Sequence, residues 1–425
     1  MSVVKETGAK EERSAGVGDT YLWHSQAHMP SVRRAEIVLA RGAGAYVWDE
    51  GGRRLLDAPA SLWYCNVGHG RAEIADAVAE QMRVLEAYST FQRYATRPAL
   101  DVAQRLAGLV PLDEPRVFLT SGGGDSIDGA AKLARRYWSA VGRPEKRTIV
   151  TRELAYHGLH GFGTSITGLG LNRDGLGGLI PDTVRVPTHD VEAFERLVAQ
   201  EGDSIAALFC EPVIGTGGVI NPQPGYLEGV QRICKENDVL FVVDEVITGF
   251  GRTGAMFASE RFGLDPDVLV LAKGVTSGYL PLGAMVAAER VWTPFWKEGS
   301  DLVFRHGVTY AGHATVCAAA MANLDILERE GLVERVRSLE PLLDRLVQGL
   351  AAHELVKEVR SGVGLLAGIQ LVDPATAERV AARCIENGVL MRVITDGTLQ
   401  ISPPFVVDEA DLHFLVETIG DALDA

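Results

Sequence analysis

Short apolar runs alternate with amphipathic stretches through the middle of the chain. Arg116–Thr120 (RVFLT), Thr148–Thr151, Ala206–Cys210, Leu240–Asp244 and Val268–Ala272 are each short and rich in β-branched or aromatic residues. That pattern predicts buried strands of a largely parallel sheet. Helical spacing lies between them, from about Ser126 to Val141 and over Gly225–Asn237. The alternation is that of an α/β fold. Upstream, residues 45–57 (AYVWDEGGRRLLD) place two apolar runs around a Glu-Gly-Gly turn and predict a hairpin. From about residue 315 the pattern changes. Helices are predicted over Ala314–Glu330 and Val333–His353, then strands near Val356–Arg360 and Leu365–Gln370. Asp373-Pro374 reads as an N-cap with proline at the first helical position, and a last helix starts at Asp408 with Asp411 in its first turn.

At 425 residues the chain exceeds one ordinary core. The pattern divides it into a polar, disordered tail at 1–18 and a segment 19–70 that packs with the C-terminal unit. A large unit follows at 71–314, and a smaller α+β unit at 315–425. Composition narrows the picture. With 41 basic against 56 acidic residues, net −15, nucleic acid is excluded as a partner. No uncharged apolar stretch reaches membrane-spanning length, and the first residues lack the pattern of a secretion signal. The reading is a cytoplasmic enzyme. Cys65, Cys210, Cys234, Cys317 and Cys384 lack any zinc-like spacing and read as reduced thiols, so no metal site is expected.

Lys273 follows directly on the apolar run Val268–Ala272, at the carboxyl end of a strand, where open α/β sheets bind ligands. Alone it reads first as a surface lysine capping a strand. Leu240–Asp244 ends in a carboxylate, which at that place can be a metal ligand, a helix cap, a base or the partner of a protonated pyridine nitrogen. In Thr120-Ser121-Gly122-Gly123-Gly124-Asp125-Ser126, glycines lie between a strand and a helix, where backbone N–H groups can approach an anion. The loop lacks the spacing of the ATP-binding P-loop and of dinucleotide folds. A lysine and an aspartate at two strand ends beside an anion cradle is the arrangement pyridoxal 5'-phosphate (PLP) requires.

From about residue 20 onward the chain resembles the class III aminotransferases, PLP enzymes of fold type I. Asp244-Glu245-Val246-Ile247-Thr248-Gly249-Phe250-Gly251-Arg252-Thr253-Gly254 and Ala272-Lys273-Gly274-Val275-Thr276-Ser277-Gly278-Tyr279 carry the likeness. The resemblance implies a large domain with a mostly parallel sheet, a smaller α+β domain, and a homodimer with active sites at the interface. It makes Lys273 the catalytic Schiff-base lysine and proton shuttle, and Asp244 the pyridine-nitrogen partner. Tyr156, in Ala155-Tyr156-His157-Gly158, becomes the ring-stacking residue, with His157 ordering that loop. Gly123 and Gly124 become the phosphate cradle. Glu211 lies near the cofactor hydroxyl, Val246 beside the ring, and Thr309 reaches the phosphate from the neighbouring subunit. Aminomutases, racemases and a decarboxylase share this fold and these residues, and stand as the alternative reactions.

Departures from the family pattern bear on substrate. The glycine loop reads SGGGDS and looks one residue longer than usual. Members that use glutamate pair a glutamate in EPVQGEGG with an arginine in R-x-x-P-P-L. Here Thr216 and Gln400 stand at those two places, so both charges are missing together. What remains resembles the ω-amine:pyruvate branch. Trp63, in Ser61-Leu62-Trp63-Tyr64-Cys65-Asn66, would line the substrate pocket with Phe91 nearby; by itself it reads equally as a core tryptophan. Arg392 sits where that branch keeps a mobile arginine for a substrate carboxylate. The implied reaction moves an amino group from a primary amine or ω-amino acid to a 2-oxo acid such as pyruvate.

Overall fold

The computed structural model describes residues 21–425, so the predicted tail at 1–18 lies outside the described residues. Near the N-terminus, β1 (Leu39–Ala43), β2 (Tyr46–Asp49) and β3 (Arg54–Asp57) form an antiparallel meander. The predicted hairpin is β2–β3. Strand β1 (LARGA) is largely exposed and carries no apolar alternation that would announce it.

The central sheet contains β4 (Arg116–Thr120), β5 (Thr148–Arg152), β6 (Thr183–Val186), β7 (Ile205–Cys210), β8 (Leu240–Asp244), β9 (Val268–Leu271) and β10 (Gly283–Ala287). Their order is β4-β10-β9-β8-β7-β5-β6. From β9 to β6 the pairing is parallel, and β10 is antiparallel to both neighbours. Every residue of β5, β7, β8, β9 and β10 is buried, which is why β7, β8 and β9 read as near-continuous apolar runs. The fold is α/β, as expected. Because β9, β8, β7, β5 and β6 run in parallel, the carboxyl ends of β7, β8 and β9 gather at one edge.

The C-terminal sheet has β11 (Val356–Val363), β12 (Leu366–Leu371), β14 (Arg392–Ile394) and β15 (Thr398–Ile401), in the order β11-β12-β15-β14. Strand β13 (Val389–Leu390) leaves that sheet and pairs in parallel with β3. The helix after Asp373 begins at Pro374, and the Asp373 side chain accepts the Thr376 N–H. The fully buried Arg252 ties the parts together. Its guanidinium donates to the carbonyls of Ser402 (3.0 Å) and Pro403 (2.7 Å) and to Asn66 Oδ1 (2.8 Å), and lies over the Phe405 ring. No described helix is long and apolar enough to cross a membrane. All five cysteines are free and buried.

Candidate active site

Lys273 comes two residues after β9 and opens a short 3-10 turn with a left-handed φ of 47°. A lysine gains nothing intrinsic from that backbone, so the surrounding fold imposes it. Burial pushes its amine down to about 8, partly opposed by the carboxylates of Asp244 and Glu211 and assisted by the Arg392 cation. It lines a cavity of about 410 Å³ together with Asp244, Tyr156, His157, Glu211, Val246 and the glycine turn. Pockets of that size suit small cofactors.

Asp244 is the last residue of β8. Its Oδ2 lies 2.8 Å from His157 Nδ1 and its Oδ1 accepts the Val246 N–H at 3.0 Å. His157 Nε2 in turn lies 3.1 Å from Thr151 Oγ1. An ionised carboxylate only accepts, so the Asp244 contact assigns the imidazole proton to Nδ1. Glu211, directly after β7, spends both oxygens on backbone: Oε1 accepts the Tyr156 N–H (2.9 Å) and Oε2 the Gly215 N–H (3.1 Å). It fixes the loop that carries Tyr156, and burial raises its carboxyl above the usual range.

The helix predicted to start at Ser126 starts at Gly123, because the glycine turn is itself its first turn. Gly122 takes the N-cap and has no side chain to satisfy the amides that follow. A Cβ on Gly123 would sit 3.1 Å from Val246 Cγ1, and one on Gly124 would sit 3.1 Å from the His160 ring. The cavity thus joins an uncapped helix N-terminus, a strand-end carboxylate, an aromatic side chain and a lysine with a depressed pKa. Those groups fit the phosphate, pyridine nitrogen, ring and aldehyde of PLP. Tyr64, Ile247 and Thr276 line the same cavity and were not singled out from the sequence. Gly278, at φ 79°, makes room for Tyr64: a Cβ there would come within 2.2 Å of the Tyr64 ring.

A second cavity, of about 790 Å³, shares Lys273 and Tyr156 with the first. Trp63, Thr216 and Arg392 line it. Trp63 does two jobs: it is 2% exposed and packs in a cluster with Val213, Ile247 and Ile394. Its turn is strained, with positive φ at Ala60, Ser61 and Trp63. Ser25 and Gln26 complete the wall from the N-terminal segment, which no motif had marked. Phe91, expected near the substrate, lines neither cavity of the single chain. It is 48% exposed and packs on Gly307, whose Cβ would approach its Cζ to 2.7 Å. Thr309, on the same segment, is exposed and likewise absent from both cavities.

The model of the family "Aminotransferase class-III" matches residues 28–423. The chain is 35% identical to the putrescine–pyruvate aminotransferase of Pseudomonas aeruginosa, over 91% of this chain and 90% of that protein. It is 34% identical to the β-alanine–pyruvate aminotransferase of the same organism, over 91% and 92%. A PLP-bound amine transaminase from an uncultivated Pseudomonas species superposes with a TM-score of 0.91 at 34% identity, covering 96% of this chain and 99% of that one. The chain belongs to the class III aminotransferases. It is a transaminase that uses PLP as cofactor.

Proposed function

We propose that the enzyme transfers an amino group from a primary amine or ω-amino acid to pyruvate or a similar 2-oxo acid. The observation that carries this reading is the second cavity, where Arg392 stands beside Lys273 while Thr216 and Gln400 occupy the places of the glutamate-handling charge pair. The names of the pyruvate-using relatives support it.

Bound PLP supplies an electron sink for the substrate carbon that loses its proton. Lys273 holds the cofactor and moves that proton, and its lowered pKa keeps a usable fraction of neutral amine near pH 7. Asp244, oriented by His157 and Val246, holds positive charge on the ring nitrogen. Gly123 and Gly124 hold the phosphate, and Tyr156 covers the ring. Arg392 binds the substrate carboxylate, and Trp63 walls the pocket.

A homodimer belongs to the same reading. Tyr88 (53%), Phe91 (48%) and Tyr310 (70%) are unusually exposed aromatics, and Phe91 packs on the segment carrying Thr309. A second copy covering this face would receive Phe91 and Thr309 at its own site. The buried free thiols suit the reducing cytoplasm. Steady-state assays with one amine donor and two acceptors test the substrate reading. Pyruvate is expected to outperform 2-oxoglutarate, and the reverse order overturns it.

A further inference from the structure

We infer that Gln400 is a positioning residue that holds Arg392 inside the substrate cavity and so sets the preference for carboxylate-bearing substrates. The inference rests on the reading of Arg392 as the carboxylate-binding group.

Arg392 and Gln400 face each other across the β14–β15 pair, in register. Arg392 Nη1 donates to Gln400 Oε1 at 2.9 Å. Among the described residues no carboxylate lies within ion-pair distance of Arg392, so this amide oxygen is the anchor of a cation that lines the cavity. Gln400 itself is completely buried. Its Nε2 donates to the Pro59 carbonyl (3.3 Å) and to Ser402 Oγ (2.9 Å).

These partners fix the amide in one orientation. A guanidinium only donates and a backbone carbonyl only accepts, so rotating the amide by half a turn would oppose donor to donor and acceptor to acceptor. The Pro59 carbonyl also accepts the Trp63 N–H at 3.1 Å. Gln400 therefore joins the two walls of the cavity, the arginine on one side and the strained tryptophan turn on the other. A neutral amide suits the task. It anchors the cation without cancelling its charge, leaving the other guanidinium N–H groups for a bidentate grip on a carboxylate. An arginine at position 400 would repel Arg392, and a glutamate would neutralise it.

The test uses wild type, Gln400→Met, Gln400→Glu and Arg392→Ala, loaded with PLP for the amine donors and with pyridoxamine phosphate for pyruvate, following each half-reaction separately by the cofactor's absorbance. Probes are β-alanine and pyruvate, which carry a carboxylate, and 1-phenylethylamine, which does not. Gln400→Met keeps side-chain length but removes the anchor. It is expected to raise the half-saturating concentrations of β-alanine and pyruvate about tenfold, the scale of one hydrogen bond to a charged group. The maximal rates and the half-saturation for 1-phenylethylamine should stay within about twofold on that same scale. Gln400→Glu is expected to weaken the carboxylates at least as much, because it removes the charge they bind. Equal weakening of all three probes, or carboxylate binding unchanged in both Gln400 variants, overturns the role of Gln400. If Arg392→Ala also leaves carboxylate binding unchanged, the reading of Arg392 fails with it. If only Arg392→Ala weakens the carboxylates, Arg392 stands and Gln400 alone is refuted. Melting temperature and bound-cofactor absorbance separate a misfolded variant from a specific one.

Discussion

His157 holds Asp244 through a 2.8 Å contact between Nδ1 and Oδ2, and Thr151 holds His157 from its far side. The carboxylate that we propose to face the cofactor's ring nitrogen is thereby fixed by a buried chain of side chains from two strands and the loop after one of them. Asp244→Asn keeps the shape but loses the charge. The expected result is a fall in kcat of about a hundredfold or more, the usual scale for removing one preorganised electrostatic group. PLP should still bind. A variant within a few fold of wild-type turnover would remove Asp244 from the mechanism.

The Lys273 amine lies near 8 because burial disfavours its charged form. In the apoenzyme, capture of added PLP should therefore accelerate with pH as the neutral amine accumulates, levelling off above about 8. The sign for stability follows from proton counting. Between about 8 and 10.5 the unfolded chain keeps a proton that the folded chain has lost. The burial penalty is thus complete below about 8 and fades as pH rises towards 10.5. Stopped-flow absorbance at a series of pH values measures the capture. A midpoint near 10.5 would show that burial does not depress the amine.

A side chain at the helix N-terminus should block the anion cradle. Gly123→Val would press on Val246, which already stands 3.1 Å from the position of a Cβ. PLP affinity of the apoenzyme should fall about tenfold, the cost of modest overpacking. Fluorescence titration with PLP reports it. Unchanged affinity would mean that phosphate is held elsewhere.

Glu211 spends both oxygens on the backbone of the Tyr156 and Gly215 loops. Glu211→Ala should loosen both, with a stability loss of about 2 kcal/mol for two buried charge-assisted bonds offset by relief of a buried charge. Calorimetry of the holoenzyme checks the direction. An equal or higher melting temperature would show that burying this carboxyl costs more than its bonds return.

The sequence made the inner strands legible because β7, β8 and β9 are buried on both faces and need unbroken apolar runs. Strands β6 and β10 escaped notice. TVRV is half-buried and polar at alternate positions, and GAMVA is small-residued and follows a turn rich in glycine and proline. At the site, Lys273, Asp244 and the glycine turn were readable because each sits at a strand end or a helix start. Tyr64, Gln26 and the Gln400–Arg392 contact were not, since each depends on two segments distant in sequence meeting in space. Phe91 shows the same limit from the other side. Its place in the chain is plain, but one chain alone does not bring it to the lysine.

The pairing of Thr120 with Gly283 has a consequence for biosynthesis. Strand β4, which leads into the glycine turn, is an edge strand whose sole partner is β10. At ribosomal speeds of about 5–20 residues per second, β10 emerges roughly ten to thirty seconds after β4. Until then the glycine turn proposed to hold phosphate has no β10 beside its strand, and Lys273 itself has not yet been translated for most of that interval. The newborn polypeptide is therefore blind to its cofactor until Lys273 and β10 have been made, and vitamin B6 supply acts on the last part of its synthesis and on the finished chain.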